Sequence, residues 1–181
     1  MEFIKKNPKI FILSGKARSG KGEVSKIIKK YYKDKKTIII SFGYYIKDYA
    51  KRVSDWDGRE ETKPRELLQQ LGIELIKNKI DDKLFINRII EDIEIFSYFY
   101  DIIIVNDARL IEEIETLKEK YSNSICIRIF RNNSDNGLTI EQKNHITETS
   151  LDNYNHFDYK IKNNDDYFEL VKNVEEILKE V

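Results

Sequence analysis

The segment "GKARSGKG", residues 15–22, has the residue types and spacing of a loop that binds nucleotide phosphates. Gly15 and Gly20 lie five positions apart and Lys21 follows directly, which matches the pattern GxxxxGK. Glycines let several backbone N–H groups approach a polyphosphate closely. The dipole of a following helix and the Lys21 ammonium add attraction for the β- and γ-phosphates. An ordinary strand-to-helix turn with surface lysines is the alternative interpretation. Contacts with the nucleotide are expected from Gly15, Lys16, Ala17, Arg18, Ser19, Gly20, Lys21, Gly22 and Glu23.

A second group of candidate residues follows the apolar run "DIIIVND". Gly22 occupies the position where most such loops carry the Ser or Thr that binds magnesium, so the metal needs an acid from elsewhere. Asp107, at the end of this run, is suited to hold magnesium through water, and Arg109 can grip a phosphate with its planar guanidinium. The alternative is a solvated Asp at a strand end and a surface Arg at a helix start.

Five short apolar runs predict the strands that must position these residues: 9–14, 37–42, 101–107, 124–130 and 157–163. The first three are nearly continuous in Ile, Phe and Val, which is typical of parallel strands buried on both faces. Helical patterns lie between and after the runs, at about 20–33, 44–54, 64–79, 83–98, 109–121 and 166–180. This alternation predicts an α/β fold, a three-layer doubly wound parallel sheet of about five strands.

Two segments do not belong to the strand–helix alternation. The interval 43–100 contains helical patterns but no convincing strand, and we expect it to form a helical insertion that binds the acceptor substrate. The polar stretch 131–148 is predicted to be a short lid. Both are expected to belong to a single domain, residues 1–181.

Composition excludes several classes of protein. The chain has 181 residues, and its 32 Lys and Arg balance 32 Asp and Glu, so no basic surface for nucleic acid or an anionic membrane is expected. Cys126 is the single cysteine, which excludes an intramolecular disulfide framework. No run approaches the roughly 18 apolar residues of a membrane helix. We expect a cytoplasmic protein, monomer or homodimer, with a small-molecule substrate.

The chain resembles the deoxynucleoside monophosphate kinases of the phage and bacterial type, within the P-loop nucleoside monophosphate kinase superfamily. The resemblance runs from about residue 9 to residue 163. It rests on "LSGKARSGKGEV", "SFGYYIKDYAKR", "KPRELLQQLGIE", "NDARLIEEIE", "HITETSLDNY" and "FDYKIKN". This sequence departs from the family pattern at Gly22-Glu23 and at Gly43-Tyr44-Tyr45, where Ala-Asp-Pro is usual.

The resemblance implies a P-loop kinase fold and transfer of the γ-phosphoryl group of ATP to the phosphate of a (deoxy)nucleoside monophosphate. ATP and Mg²⁺ are the implied cofactors, with Asp107 holding the metal through water. The catalytic candidates are Lys21, Asp107, Arg109 and Arg131, the last at the position of a lid arginine. Substrate contacts are expected from Phe42, Lys47, Arg65, Gln69, Arg109, His145 and Glu148.

Two other functions remain open at this point. Animal-type phosphomevalonate kinases share a similar loop and a similar D-x-R strand end, so the acceptor could be another small phosphorylated metabolite. A regulator that binds ATP without turning it over is the second alternative, and the Gly22-Glu23 departure is the observation that favours it.

Overall fold

The computed structural model describes residues 2–131 and 137–181. Within them the strands are β1 Lys9–Ser14, β2 Thr37–Ser41, β3 Ile102–Ala108, β4 Ile125–Phe130 and β5 Tyr159–Lys162. All neighbouring strands are parallel, in the order β2-β3-β1-β4-β5. The apolar runs located these strands to within two residues at each end. The prediction of a doubly wound parallel sheet is confirmed.

Helices connect the strands and follow the last one. They are α1 Lys21–Tyr31, α2 Phe42–Val53, α3 Arg65–Gln69, α4 Leu84–Phe96, α5 Ile111–Lys120, α6 Ile140–Asn144, α7 Ile146–Thr149 and α8 Tyr167–Glu180. A π-helical segment, Gln70–Ile80, continues α3 without a break. The short helices α6 and α7 lie in the predicted lid 131–148, whose residues 132–136 are outside the described part of the chain. No helix of the described residues is long and apolar enough to cross a membrane.

The hydrophobic core lies on both faces of the sheet. Phe11 and Leu13 of β1 point to one face, which α1 and α8 cover. Ile10 and Ile12 point to the other face, which α4 and α5 cover. Successive side chains of a strand alternate between faces, so a strand buried on both must be apolar throughout. This explains the continuous apolar runs and produces the three layers.

Helix α4 belongs to the core although it lies within the predicted insertion 43–100. Its residues Ile86, Ile89 and Ile93 are buried and pack against the sheet. Spacings of three and four place them on one face of the helix. Of the predicted insertion, α2, α3 and the π-helical segment are the elements other than α4.

The strand order brings the ends of β1 and β3 together. Ser14, the last residue of β1, pairs with Ala108 of β3 on one side and with Arg128 of β4 on the other. In open parallel sheets, ligands bind beyond the carboxyl ends of the strands where the winding reverses direction. The loop after β1 and the segment Asp107–Arg109 at the end of β3 meet at such a point.

Candidate active site

Glycines shape the loop between β1 and α1. Gly20, which precedes α1, has φ 104°, in the left-handed region that favours glycine. A side chain on Gly15 would lie 2.6 Å from the carbonyl oxygen of Ile129, so only glycine lets the loop pack this closely on β4. The sequence pattern and the backbone geometry therefore agree on a phosphate-binding loop.

Lys21 lies in the first turn of α1 and points back into this loop. Its ammonium donates hydrogen bonds to the carbonyl oxygens of Gly15, at 2.7 Å, and Lys16, at 2.9 Å. It also lies 3.5 Å from a carboxylate oxygen of Asp107. The side chain is only 8 % exposed, and this burial is the main cause that lowers the pKa of Lys21 to about 8. The lysine is thus held at the point where β1 and β3 end.

Asp107 is the negative charge beside Lys21. Its φ of 76° is unusual for a residue with a side chain, although Asp tolerates this region better than most. Its Oδ1 accepts a hydrogen bond from Arg109 Nε at 2.7 Å. Burial alone would raise the pKa of Asp107, but Arg109 and Lys21 together hold it well below its usual range. The carboxylate is therefore ionised at neutral pH.

Arg109 is bound by acidic side chains from two parts of the chain. Besides Asp107, its guanidinium binds the carboxylate of Glu148, from α7. Burial opposes the charged form, but the two carboxylates raise the pKa of Arg109 above its ordinary value. The backbone N–H of Arg109 donates to Glu113 at 2.6 Å, which fixes the start of α5. Burial raises the pKa of Glu113 to about 7.

Glu148 connects Arg109 to the phosphate loop. One carboxylate oxygen binds Arg109, and the other accepts the backbone N–H of Ala17 at 2.9 Å. The residue is buried. Both of its oxygens bind the protein itself, and the residue also lines the cavity described next, so its predicted contact with the substrate stays a prediction.

A cavity opens between the phosphate loop and the helices that follow β2. Ala17, Asp107, Arg109 and Glu148 form part of its wall. Of the predicted acceptor residues, Phe42, Lys47, Arg65 and Gln69 all line it as well. Apolar side chains of α2, α3, the π-helical segment and α4 complete the wall: Ile46, Leu68, Ile73, Ile76, Phe85 and Ile86. Cationic groups from two regions of the sequence therefore face one space.

Lys63 is a cavity residue that the sequence interpretation missed. Its side chain is 17 % exposed, and its pKa is lowered mainly by burial and then by the neighbouring charge of Lys47. Glu60 partly compensates these charges, since it binds Lys63 at 3.1 Å and Arg65 at 2.9 Å. The segment "KPRE" could have indicated Lys63, because both Lys63 and Arg65 are cations next to the proline that precedes α3.

Comparison with known proteins identifies the family. Residues 45–174 match the sequence model of the family described as deoxynucleotide monophosphate kinase. This chain belongs to that family. The kinase therefore carries out ATP-dependent phosphoryl transfer to a deoxynucleoside monophosphate, as the resemblance implied. The match does not include the phosphate loop, so the loop and the family match are independent observations.

Solved structures agree with the fold of this kinase. It is similar to TT1252 from Thermus thermophilus (TM-score 0.59, 11% identity, covering 97% of this chain and 99% of that one). It is also similar to a gluconokinase from Sinorhizobium meliloti 1021 (TM-score 0.57, 12% identity, 97% and 94% covered). A third match is an APS kinase from Mycobacterium tuberculosis in complex with AMPPNP and APS (TM-score 0.54, 12% identity, 96% and 99% covered). No curated protein gave a significant sequence match.

Three other predicted site residues of the kinase lie away from the cavity wall. His145 is the N-terminal cap of α7, where its Nδ1 accepts the backbone N–H of Thr147 at 3.3 Å. Arg131 follows β4 directly and is exposed. Glu23 lies on the exposed side of α1 and pairs with Lys26 at 2.8 Å. Their predicted contacts with substrate or nucleotide remain predictions.

Proposed function

We propose that the kinase binds ATP at the loop 15–23 and the deoxynucleoside monophosphate in the cavity beside it. The observation that carries this proposal is that Asp107 and Arg109 line the cavity and bind each other, while Lys21 of the loop lies 3.5 Å from the same Asp107 carboxylate. The same cavity is lined by the cations of α2 and of the segment before α3. Two anionic substrates can thus bind with their phosphates facing each other.

On the ATP side, the backbone N–H groups of the loop and the start of α1 bind the β- and γ-phosphates. Lys21 rests on the carbonyl oxygens of Gly15 and Lys16. Its flexible four-carbon chain lets the ammonium turn from these oxygens to the phosphates. Because burial has already removed much of its hydration, its attraction for a phosphate is stronger than that of an exposed lysine.

On the acceptor side, Arg109 and Arg65 are placed to hold the phosphate of the monophosphate, and Lys47 and Lys63 add charge. The nucleoside then extends along the apolar part of the wall. Phe42 forms part of this surface. Gln69 supplies an amide that can donate to or accept from the base, and its present partner, the carbonyl oxygen of Gln142, is a weak one at 3.5 Å.

The residues around the loop fit a magnesium ion held mostly by water and phosphate. Asp107 is ionised and lies beside Lys21. The described residues contain no cluster of three potential metal ligands, and magnesium needs none here, because it keeps several waters and binds one or two carboxylates. Asp107 would hold it through water, and the ion would supply positive charge that offsets the charge of the phosphates.

The transfer itself requires little from the protein beyond position and charge. An oxygen of the acceptor phosphate forms a bond to the γ-phosphorus while the bond to the β-phosphate oxygen of ADP breaks. The acceptor oxygen is already anionic, so no strong general base is required. Lys21, Arg109 and, from the lid, Arg131 stabilise the charge on the transferred group. Closure of α6 and α7 over the substrates would exclude water, which would otherwise hydrolyse ATP.

The test is ADP formation with ATP, Mg²⁺ and each deoxy- and ribonucleoside monophosphate, with phosphomevalonate added to the panel. Lys21→Ala should lower turnover by at least about 100-fold while the fold stays intact. The matched control is Lys29→Ala, an exposed lysine of the same helix, which should be neutral.

Each outcome of the panel has a distinct meaning. ADP release that depends on a deoxynucleoside monophosphate supports the proposal and names the substrate. Release with phosphomevalonate alone would contradict the proposed acceptor. Binding of ATP without turnover for any acceptor would favour a regulator, and near-normal turnover in Lys21→Ala would overturn the loop assignment.

A further inference from the structure

Arg128 is a buried cation in the middle of β4. It is 4 % exposed, and the segment "ICIRIF" is otherwise apolar. The guanidinium carbon lies 5.5 Å from the ring centre of Phe130 and 5.6 Å from that of Phe157. A charge in such a place costs free energy unless its N–H groups find partners.

The partners of Arg128 satisfy the guanidinium only in part. Nη1 donates to the hydroxyl of Ser14 at 2.9 Å. Nη2 lies 3.8 Å from a carboxylate oxygen of Asp152, and Nε is buried without a hydrogen-bond partner. An apolar residue of similar size would often stabilise such a position at least as well. The arrangement therefore points to a role other than stability.

The two contacts of Arg128, with Ser14 and with Asp152, connect it to the residues before and after Gly15. Ser14 directly precedes Gly15, and Asp152 binds the ammonium of the next residue, Lys16, at 2.8 Å with its second oxygen. The carbonyl oxygens of Gly15 and Lys16 are the two that hold Lys21. Arg128 thus contacts Ser14 directly and Lys16 through Asp152, and these are the two residues that flank Gly15.

We propose that Arg128 is a positioning residue that fixes the phosphate loop for ATP through Ser14 and Asp152. Arg128 does not line the acceptor cavity, so its effect is on the nucleotide side of the reaction. The inference rests on the proposed binding of ATP at this loop. It adds a residue that touches neither substrate and acts through two others.

Arg128→Met is the first variant. Methionine is long, unbranched and favourable beside aromatic rings, so it keeps the packing against Phe130 and Phe157 and removes the donors. The KM for ATP and the Kd for a non-hydrolysable ATP analogue should each rise about tenfold, the usual effect of losing a charged hydrogen bond. The KM for the acceptor should stay within twofold, and the melting temperature should be unchanged or higher.

A double-mutant cycle tests the connection through Asp152. Asp152→Asn should also raise the Kd for the analogue, and the double variant should be no weaker than the worse single one, because both residues act in one chain of contacts. Lys160→Met is the matched control. Lys160 is an exposed cation of β5 in register with Arg128, and its loss should leave the Kd unchanged.

Several results would overturn the inference. An unchanged Kd for the ATP analogue in Arg128→Met would show that Arg128 contributes only packing. Additive effects in the double-mutant cycle would show that Arg128 does not act through Asp152. If Arg128→Met does not fold, Arg128→Lys and Asp152→Asn decide, and wild-type affinity in both would overturn the inference. A wild-type chain that binds no nucleotide would instead contradict the proposed function itself, before any variant is compared.

Discussion

Glu148 and Arg109 form an ion pair that also holds the phosphate loop, because the second oxygen of Glu148 accepts the backbone N–H of Ala17 at 2.9 Å. Arg109 in turn binds Asp107, which lies beside Lys21. One carboxylate from α7 thus links the phosphate loop to Arg109. The position of Arg109 and the shape of the loop are therefore coupled.

Glu148→Gln should lower kcat by about 10- to 100-fold and also lower the melting temperature, because Arg109 loses one of its two carboxylate partners. Glutamine keeps the size and one acceptor oxygen, but it removes the charge that orients Arg109, and hydrogen bonds to charged groups are worth about 1.5–3 kcal/mol. Steady-state kinetics at saturating ATP and acceptor measures the effect. Glu119→Gln, at an exposed position of α5, is the control. A kcat within twofold of wild type would show that the link is not needed for turnover.

Lys63→Met should raise the KM for the acceptor about tenfold or more, with a smaller effect on kcat and none on the KM for ATP. Lys63 is largely buried in the acceptor cavity, where a lost charge is poorly replaced by water. Varying the acceptor at saturating ATP measures the change. Lys79→Met, an exposed lysine of the π-helical segment, should behave as wild type. A rise confined to the KM for ATP would contradict the assignment of the cavity.

Gly22→Ser should lower the Mg²⁺ concentration needed for half-maximal activity. A side chain at Gly22 would meet no atom within 4 Å, so the position accepts a serine without strain. The hydroxyl would then stand where most phosphate loops bind the metal. Gly22→Ala is the control, since it shares the gain in helix propensity but lacks the hydroxyl. Identical magnesium titrations for the two variants would argue against a metal at this point.

Glu113→Gln should gain stability relative to wild type as the pH rises from 5 to 8. Burial raises the pKa of Glu113 to about 7 in the folded chain, against an ordinary value near 4.5. The protonated carboxyl is therefore the favoured form in the folded state. Stability is highest below the unfolded pKa and is lost as the pH passes through 7. The gap in the free energy of unfolding should grow by up to about 3 kcal/mol.

Urea unfolding of wild type and Glu113→Gln at pH 5, 6, 7 and 8 measures this gap. Glutamine can still offer one oxygen to the N–H groups of Arg109 and Leu110, as Glu113 does at 2.6 Å and 3.0 Å. The helix cap of α5 is therefore kept in the variant. A gap that does not change with pH would mean that Glu113 is ionised throughout this range.

The strands and the phosphate loop were predictable because short stretches of sequence specify them. Continuous apolar runs require burial on both faces, and they located the strands of the sheet. The pattern of the phosphate loop is complete within eight residues, because phosphate binding there depends on local backbone angles and on the start of the following helix. Phe42, Lys47, Arg65 and Gln69 were proposed as substrate contacts from their residue types and their places after the second strand, and all four line the cavity.

Arg128 and Glu148 bind partners that are distant in the chain. Arg128 binds Ser14, 114 positions away, and nothing in "ICIRIF" distinguishes it from an arginine at a strand edge. The carboxylate of Glu148 accepts the backbone N–H of Ala17, 131 positions away. The side chain of His145 caps α7, and the substrate contacts predicted for Glu148 and His145 stay predictions.

The sequence by itself determined the order of strands and helices, the phosphate loop and the pair Asp107 and Arg109. Each depends on backbone conformation or on apolar burial, which residue types specify over short stretches. Only the tertiary structure decided which charged groups meet, because hydrogen bonds depend on distances of a few tenths of an ångström between residues far apart in the chain. The contacts among Lys21, Asp107, Arg109 and Glu148 exist only once β1 and β3 lie side by side.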